Sequence, residues 1–155
     1  MEHEVEIRKI TGQHDLEKMV DWMYHWWGMR ENYEREAIKC YMMHSFQTNK
    51  LPQTYGLYLK NVIIGMYQFR NDDLFVRPDI YPWLANVYID PGYRSGGYGR
   101  ILLSSVQRNA AEAGLKEIYL FTVHIGLYEK FGWEFLEMID TFLEPKYQRL
   151  YRLSL

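Results

Sequence analysis

Apolar residues recur with two different periods along the first part of the chain. Alternation over residues 5–10 predicts an edge or opening strand. Apolar positions three and four residues apart predict two helices, over residues 15–27 and 33–46. Asp15 is placed to serve as the N-cap of the first helix.

The middle of the chain predicts a hairpin followed by a central strand. The segment "TYGLYLKNVIIGMYQFR" is typical of two strands joined by a tight turn at Lys60-Asn61. The apolar run "WLANVYI", residues 83–89, predicts a strand at the centre of a sheet. The Asp-Pro-Gly sequence that begins at Asp90 ends this strand with turn-forming residues.

The last third of the chain predicts one long helix and a second group of strands. Residues 99–113 have one apolar helical face, and Gly114 is placed to end the helix. The segment "EIYLFTV" predicts a strand buried on both faces, and "LYEKFG" predicts a short helix that ends at Gly132. "WEFLEMI" and "YQRLYRLSL" predict a final strand pair. Without repeats or linkers, the pattern predicts one mixed α/β domain over residues 1–155.

Composition excludes several classes of function. The formal net charge of −2 gives no general attraction to nucleic acid or to an anionic membrane, so neither is expected as a partner. The single cysteine, Cys40, allows no intrachain disulfide, and its helical surroundings predict a buried structural thiol. The charged N-terminal stretch and the lack of an apolar run near the roughly 20 residues that span a bilayer favour a cytoplasmic protein.

A cluster of three glycines stands out in "YRSGGYGRILL", residues 93–103. Ordering glycine is entropically costly, so such a cluster indicates a backbone function that side chains would obstruct. Because the cluster lies between a predicted strand and the first turn of a helix, it offers backbone N–H groups and the positive end of a helix dipole to a phosphate. Arg94 and Arg100 add cations that can form charge-assisted hydrogen bonds.

Three anion-binding patterns compete for this loop. A Walker A loop requires Gly-Lys-Ser/Thr at its end, but Gly99 is followed by Arg100. A dinucleotide-binding fingerprint requires a third glycine where this chain has Leu102. The pattern R-x-x-G-x-G is met at each fixed position, by Arg94, Gly97 and Gly99.

The segment "NVYIDPGYRSGGYGRILLSSV" resembles the strand, loop and helix of the GNAT superfamily of N-acetyltransferases, whose coenzyme A pyrophosphate loop is Q/R-x-x-G-x-G/A. Downstream, "LYEKFGWEF" resembles the second signature of that family, and the close resemblance covers residues 83–136. The resemblance implies an α/β fold (α+β, GNAT-like), with a central mixed, mostly antiparallel sheet of about six to seven strands flanked by about four helices. It also implies acetyl-CoA as co-substrate and no metal.

The same resemblance implies where the co-substrate binds. In the family, backbone groups of the fourth strand hold the pantetheine arm and the thioester carbonyl, and the glycine loop holds the pyrophosphate. The residues so implied here are Val87, Tyr88, Ile89, Arg94, Ser95, Gly96, Gly97, Tyr98, Gly99 and Arg100.

The resemblance further implies a general acid at Tyr128. A phenol with a pKa of about 10 stays protonated at neutral pH and can donate to a departing thiolate. In a chain with fourteen tyrosines, core packing is the alternative. Relatives often carry a carboxylate early in the fourth strand, but "YPWLANVYI" has none. Asp79 and His124 are the nearest candidates for a base, and water carrying the proton away is an equal alternative.

These features predict an acetyl-CoA-dependent N-acetyltransferase. It moves an acetyl group to a primary amine of a small molecule or peptide, by direct attack in a ternary complex. A non-catalytic CoA-binding regulatory module is the alternative, and a homodimer remains open.

The predicted first two helices carry aromatic and acidic residues that allow two interpretations. They form either an aromatic wall for a cationic amine or a core with a solvated face. The residues are Trp22, Trp26, Trp27, Tyr33, Glu31, Glu34 and Glu36.

Overall fold

The computed structural model describes residues 4–155 of the chain. Its strands are β1 (Val5–Ile10), β2 (Gln53–Leu59), β3 (Val62–Arg70), β4 (Trp83–Ile89), β5 (Glu117–Thr122), β6 (Glu134–Asp140) and β7 (Tyr147–Ser154). Its helices are α1 (Leu16–Met23), α2 (Arg35–Met43), α3 (Tyr98–Ser104) and α4 (Val106–Glu112). A π-helical turn at Tyr24–Gly28 follows α1, and short 3-10 turns occupy Pro91–Tyr93 and Tyr128–Phe131.

All seven strands belong to one sheet, in the order β1-β2-β3-β4-β5-β7-β6. The pairs β1/β2, β5/β7 and β6/β7 are antiparallel, and β4/β5 is parallel. The predicted fold class is therefore confirmed, with β1 at one edge and β4 at the centre. Only Ser105, itself in the right-handed helical region, separates α3 from α4. Counted as one interrupted helix, they leave three helices in the described residues, slightly fewer than predicted.

The chain divides into two compact units. The first comprises the residues up to Gln68 together with Asn86–Leu102, and the second comprises Phe69–Ala85 and Leu103–Leu155. The prediction of one domain over residues 1–155 stays a prediction, and its first three residues lie outside the described range.

The core of the first unit forms because α1 and α2 each bury one apolar face. Met19, Val20 and Met23 are completely buried on α1, and Ile38 and Met42 are buried on α2. Spacings of three and four residues place these side chains on one face of each helix, as the sequence pattern predicts. They pack with Ile63 and Met66 of β3 in a single apolar cluster.

The two ends of α1 are built differently from the prediction. Asp15 precedes the helix as predicted, but its side chain makes no capping hydrogen bond. The Tyr58 hydroxyl instead donates to Asp15 Oδ2 at 2.6 Å. At the other end the helix widens into the π turn, where Gly28 meets α2 closely. A Cβ at Gly28 would lie 2.2 Å from Ile38 Cδ1, so only glycine fits there without a shift.

The hairpin turn has the predicted residues in the conformation that they favour. Lys60 and Asn61 join β2 to β3, and both have positive φ, 50° and 67°. Two central residues of positive φ define a type I′ turn, whose twist matches that of paired strands.

The second unit packs around Trp83, which is completely buried. The Trp83 ring meets Phe121 edge to face, with centroids 5.7 Å apart. The prediction that β5 is buried on both faces is wrong, because burial alternates along the strand. Tyr119 and Phe121 are only half-buried, and the Tyr119 hydroxyl donates to the carboxylate of Glu117.

Three further features bear on the predictions. Cys40 is exposed, because the buried face of α2 carries Ile38 and Met42, so the prediction of a buried thiol is wrong. None of the helices within residues 4–155 has the length and apolar character needed to cross a bilayer. Across the same residues, no group of three or more His, Cys, Asp or Glu side chains could hold a metal ion.

Candidate active site

Strand β4 changes from buried to accessible along its length. Trp83, Leu84 and Ala85 are buried, and the four residues that follow are only half-buried. The parallel pairing with β5 joins Trp83, the first residue of β4, to Tyr119. The residues predicted to hold the pantetheine arm, 87–89, therefore lie on the part of the strand that a ligand can reach.

Asn86 introduces a left-handed residue in the middle of β4, with φ of 53°. This conformation costs a non-glycine residue about 1–2 kcal/mol, and asparagine is among the few residues that adopt it. Asn86 Nδ2 donates to the Tyr41 hydroxyl at 2.9 Å and to Gln68 Oε1 at 2.7 Å. Gln68 Nε2 in turn donates to Thr54 Oγ1 at 3.0 Å. This polar network holds Asn86 in its left-handed conformation, which sequence analysis missed although the lone asparagine in an apolar strand marks it.

Tyr88 is enclosed by aromatic and cationic groups. Its ring centroid lies 5.5 Å from that of Trp22 and 5.3 Å from that of Trp26. The Arg94 guanidinium carbon lies 5.1 Å from the Tyr88 centroid, within cation–π range. Tyr88 thus connects α1 and the π turn to the glycine loop.

Asp90 holds the turn at the end of β4 with both carboxylate oxygens. Trp22 Nε1 donates to Oδ2 at 3.1 Å, and the Gly92 backbone N–H donates to Oδ1 at 2.9 Å. The Asp90 backbone N–H donates to the Ile64 carbonyl at 2.8 Å. Sequence analysis predicted the turn but not the bond to Trp22.

Arg94, predicted to bind the pyrophosphate, is exposed and also fastens the loop to β4. Its Nε donates to the Ile89 carbonyl at 2.9 Å. A guanidinium carries five N–H donors in a planar fork, so one backbone bond leaves donors for an anion.

Two glycines of the loop, Gly97 and Gly99, border open space. Ser95 and Gly97 have positive φ, 71° and 82°. A Cβ built at Gly97 or Gly99 would meet no atom within 4 Å. Unlike Gly97, Gly99 does not have a positive φ. Neither packing nor backbone conformation within the chain therefore requires glycine at position 99. The residues of the loop therefore fit a ligand that approaches the backbone closely, as a pyrophosphate does.

An aromatic pocket lies between the π turn and α2. We define it by its lining residues, Trp27, Tyr33, Ala37, Ile38 and Tyr41, and its volume is about 140 Å³. The Trp27 ring meets Tyr33 and Tyr41 edge to face, with centroids 5.7 Å and 5.8 Å apart.

The aromatic residues of the first two helices divide between core and surface. Trp22 is buried in the core of the first unit, whereas Trp26 and Tyr33 are exposed. The nearby glutamates Glu31, Glu34 and Glu36 are also exposed.

Tyr128 lies in the 3-10 turn of the second unit and is buried. Its ring centroid is 6.0 Å from those of Trp133 and Tyr151. Burial raises the pKa of Tyr128 to about 12, so its hydroxyl keeps its proton at neutral pH. Both the general-acid role and core packing are consistent with this environment, and the role stays a prediction.

The two candidate bases have different surroundings. Asp79 accepts two hydrogen bonds from Arg77, of 3.0 Å and 2.9 Å, and this pairing lowers the pKa of the Asp79 carboxyl. A lowered pKa makes a carboxylate a weaker base. His124 is exposed, and its backbone N–H donates to Thr122 Oγ1 at 3.1 Å. The catalytic roles of Asp79 and His124 stay predictions.

We predict that Asn86→Ala destabilises the protein more than Asn86→Gly does. Both variants lose the bonds to Tyr41 and Gln68, but only alanine is strained at positive φ. The difference in free energy of unfolding should be about 1 kcal/mol or more, measured by urea denaturation. Equal stability of the two variants would contradict a left-handed residue at this position.

Comparison with known proteins gives the family. A family model described as "Acetyltransferase (GNAT) family" matches residues 16–133. No curated protein matches the sequence significantly.

Solved structures match nearly the whole chain at low identity. An Elizabethkingia anophelis GNAT family acetyltransferase with acetyl-CoA bound is 18% identical, with a TM-score of 0.70 over 98% of this chain and 99% of its own. An aminoglycoside 6′-N-acetyltransferase complexed with coenzyme A is 12% identical, with a TM-score of 0.73 over 96% of each chain. A ribosomal L7/L12 alpha-N-protein acetyltransferase in complex with coenzyme A is 11% identical, with a TM-score of 0.72 over 97% and 94%. At these identities the likeness establishes the fold. The resemblance of residues 83–136 indicated the same family. Because the family model covers most of the chain, this protein belongs to the GNAT family of acetyltransferases.

Proposed function

We propose that this protein transfers the acetyl group of acetyl-CoA to a primary amine of a small molecule or peptide, by direct attack in a ternary complex. The observation that carries the proposal is the exposed loop in which a Cβ at Gly97 or Gly99 would meet no atom within 4 Å. Membership of the acetyltransferase family supports it. So do the relatives described as bound to acetyl-CoA or coenzyme A.

Two stretches of the first unit would hold the co-substrate. Backbone N–H groups of residues 95–99 and the guanidinium groups of Arg94 and Arg100 would bind the pyrophosphate. The accessible backbone of residues 87–89 would hold the pantetheine arm and polarise the acyl carbonyl. Acetyl-CoA supplies a thioester whose carbonyl carbon forms the new C–N bond as its C–S bond breaks.

We assign to Tyr128 the role of hydrogen-bond donor and general acid to the departing sulfur. Its raised pKa keeps the hydroxyl protonated, but a phenol with a pKa of about 12 is a weaker acid than a thiol with a pKa of about 8.5. Tyr128 therefore stabilises the departing thiolate mainly by donating a hydrogen bond to the sulfur, and less by full transfer of its proton. Solvent restores any proton that Tyr128 gives up.

The acceptor nitrogen loses its proton to water in this account. Strand β4 carries no carboxylate. Asp79 is paired with Arg77, which lowers its pKa. Both observations favour the solvent route over a dedicated protein base.

We predict that Gly99→Glu abolishes acetyl-CoA binding, because the side chain would place an anion in the space assigned to the pyrophosphate. Isothermal titration calorimetry measures the affinity. Gly12→Glu is the matched control, since a Cβ at Gly12 also meets nothing within 4 Å and Gly12 lies outside the loop. Equal affinity of Gly99→Glu and wild type would contradict the loop assignment.

We predict that Tyr128→Phe lowers turnover roughly 10- to 1000-fold while acetyl-CoA affinity stays unchanged. Thiol release in the presence of a panel of amines measures turnover. The exposed Tyr147 offers the control Tyr147→Phe, which should behave as wild type. Unchanged turnover in Tyr128→Phe, with chemistry rate-limiting, would assign Tyr128 to core packing. Acetyl-CoA binding without thiol release for any amine would favour the non-catalytic module.

The pH dependence of kcat/KM follows from two pKa values, that of the acceptor amine and that of Tyr128. An alkylamine acceptor with a pKa of about 10 is increasingly neutral as the pH rises, so kcat/KM should rise from pH 6 toward pH 10. Because Tyr128 ionises only near pH 12, the rate should not fall before about pH 10.5. His124→Ala and Asp79→Ala should leave the slope in place. A plateau above about pH 7 that disappears in one variant would identify a protein base.

A further inference from the structure

The turn that carries Tyr128 is short, so side-chain contacts matter for its position. It is a four-residue 3-10 turn, Tyr128–Phe131. The Gly132 backbone N–H donates to the Glu129 carbonyl and the Trp133 backbone N–H to the Tyr128 carbonyl, each at 3.2 Å. Hydrogen bonds of 3-10 geometry are poorer than those of an α-helix. Contacts from outside the turn therefore contribute strongly to where Tyr128 lies.

The Glu129 carboxylate ties this turn to strand β7. Its Oε2 accepts a hydrogen bond of 2.8 Å from the Tyr151 hydroxyl and lies 3.7 Å from Arg149 Nη2. Hydrogen bonds from its own backbone N–H and from the Tyr151 hydroxyl contribute most to lowering the pKa of the Glu129 carboxyl. The Arg149 charge and the Gly126 backbone N–H lower this pKa further. One ionised carboxylate thus joins the backbone of the turn to two side chains of β7.

The Tyr151 hydroxyl is the centre of these contacts. Tyr151 is completely buried. Its hydroxyl accepts a hydrogen bond of 2.8 Å from Arg149 Nε, donates to Glu129, and lies 3.5 Å from the His124 carbonyl oxygen. It therefore contacts both ends of the segment that leads from β5 into the turn. The Tyr151 ring also packs against Tyr128, with centroids 6.0 Å apart.

Strand β6 holds Arg149 in place. The Arg149 guanidinium carbon lies 4.0 Å from the centroid of the Phe135 ring, within cation–π range. The Phe135 ring also meets Tyr151 edge to face, with centroids 5.8 Å apart. Phe135 is paired with Tyr151 in the β6/β7 ladder. We call Glu129, Arg149 and Tyr151 the anchoring network, and two of its three members are side chains of a paired strand, which position groups more precisely than loops do.

The anchoring network acts on the position of Tyr128 and not on its acidity. Burial alone raises the pKa of Tyr128, although Glu129 is its neighbour in the chain. A connected polar network favours one arrangement of its members, because each must keep its hydrogen-bond partners. Loss of one member should therefore loosen the turn and leave the acidity of Tyr128 unchanged.

We propose that Glu129, Arg149 and Tyr151 are positioning residues that fix the turn so that the Tyr128 hydroxyl donates to the departing sulfur. The catalytic consequence rests on the proposed function, whereas the anchoring of the turn does not. Misplacing a catalytic group by about 1 Å can lower the rate roughly 100-fold, so a small movement of the turn is enough to affect turnover.

Amide hydrogen exchange measures the anchoring directly. The Trp133 N–H, which donates to the Tyr128 carbonyl, reports opening of the turn. Tyr151→Phe and Glu129→Ala should each speed its exchange about 10-fold or more, because each loses a hydrogen bond to a charged group. The Tyr119 N–H, which donates to the Pro82 carbonyl at 2.9 Å, is the reference and should not change. Unchanged exchange at Trp133 in both variants would overturn the proposal.

Steady-state kinetics measures the effect on turnover. Tyr151→Phe and Glu129→Ala should lower kcat about 5- to 50-fold and leave KM for acetyl-CoA unchanged. Glu129→Gln keeps a side-chain oxygen for the Tyr151 hydroxyl and should retain most of kcat. Thermal unfolding checks that each variant is folded, and the exposed position of Glu129 provides a second variant should Tyr151→Phe fail to fold. A raised KM with unchanged kcat would contradict a positioning role.

Tyr119→Phe is the matched control. The Tyr119 hydroxyl also donates to a glutamate carboxylate, that of Glu117, but both residues belong to β5. This variant therefore removes the same kind of bond outside the anchoring network. It should leave kcat and the exchange of the Trp133 amide as in wild type.

A double-mutant cycle distinguishes positioning from general structural support. In a Tyr128→Phe background, Tyr151→Phe and Glu129→Ala should lower kcat no further, because the hydroxyl that they position is absent. An equal fold-loss of kcat in the wild-type and Tyr128→Phe backgrounds would show that the anchoring network supports the protein generally. That result would overturn the positioning role.

The outcomes separate this inference from the proposed function. If wild type acetylates no amine, the proposed function fails, while faster Trp133 exchange in Tyr151→Phe still supports the anchoring. If Tyr128→Phe lowers kcat but Tyr151→Phe and Glu129→Ala do not, the positioning role is overturned and acetyl transfer stands. If Tyr128→Phe turns over as fast as wild type, the positioning role fails together with the assignment of Tyr128, and acetyl transfer again stands.

Discussion

The carboxylate of Asp90 is the contact on which the position of the glycine loop depends. Glycine-rich backbone is costly to order, so a loop of this composition needs fixed ends. Asp90 supplies one by binding the indole of Trp22 and the backbone of Gly92 with separate oxygens. Arg94 supplies a second tie, to the carbonyl of Ile89. Together these bonds prepare the loop for a ligand and lower the ordering cost of binding.

Polar residues within or just after β4 shape the rest of the candidate site. Asn86 places a left-handed residue in the strand and binds Tyr41 of the aromatic pocket, and Asp90 follows the strand and binds Trp22. Tyr88, between them, packs against Trp22 and Trp26. An asparagine inside an apolar central strand departs from local sequence rules, and such departures are expected at functional sites.

Features that depend on local sequence could be predicted, and features that depend on distant contacts could not. Periodicity located all seven strands, and turn chemistry located the Lys60-Asn61 hairpin. The bond from Trp22 to Asp90 joins residues 68 positions apart, so no local pattern encodes it. The same holds for Asp15, which was predicted to cap α1 but binds Tyr58. The close approach of Gly28 to Ile38 likewise depends on how the π turn packs against α2 and not on a local pattern.

The affinity of Asp90→Ala for acetyl-CoA tests most directly whether this contact prepares the loop. Calorimetry on wild type, Asp90→Ala, Trp22→Phe and the exposed-loop control Asp72→Ala gives the four dissociation constants, with thermal unfolding checking that each variant is folded. We expect Kd to rise roughly tenfold or more in Asp90→Ala, and by a smaller factor in Trp22→Phe, which removes one of the two bonds. Asp72→Ala should bind as wild type does. A folded Asp90→Ala variant with unchanged Kd would contradict the account.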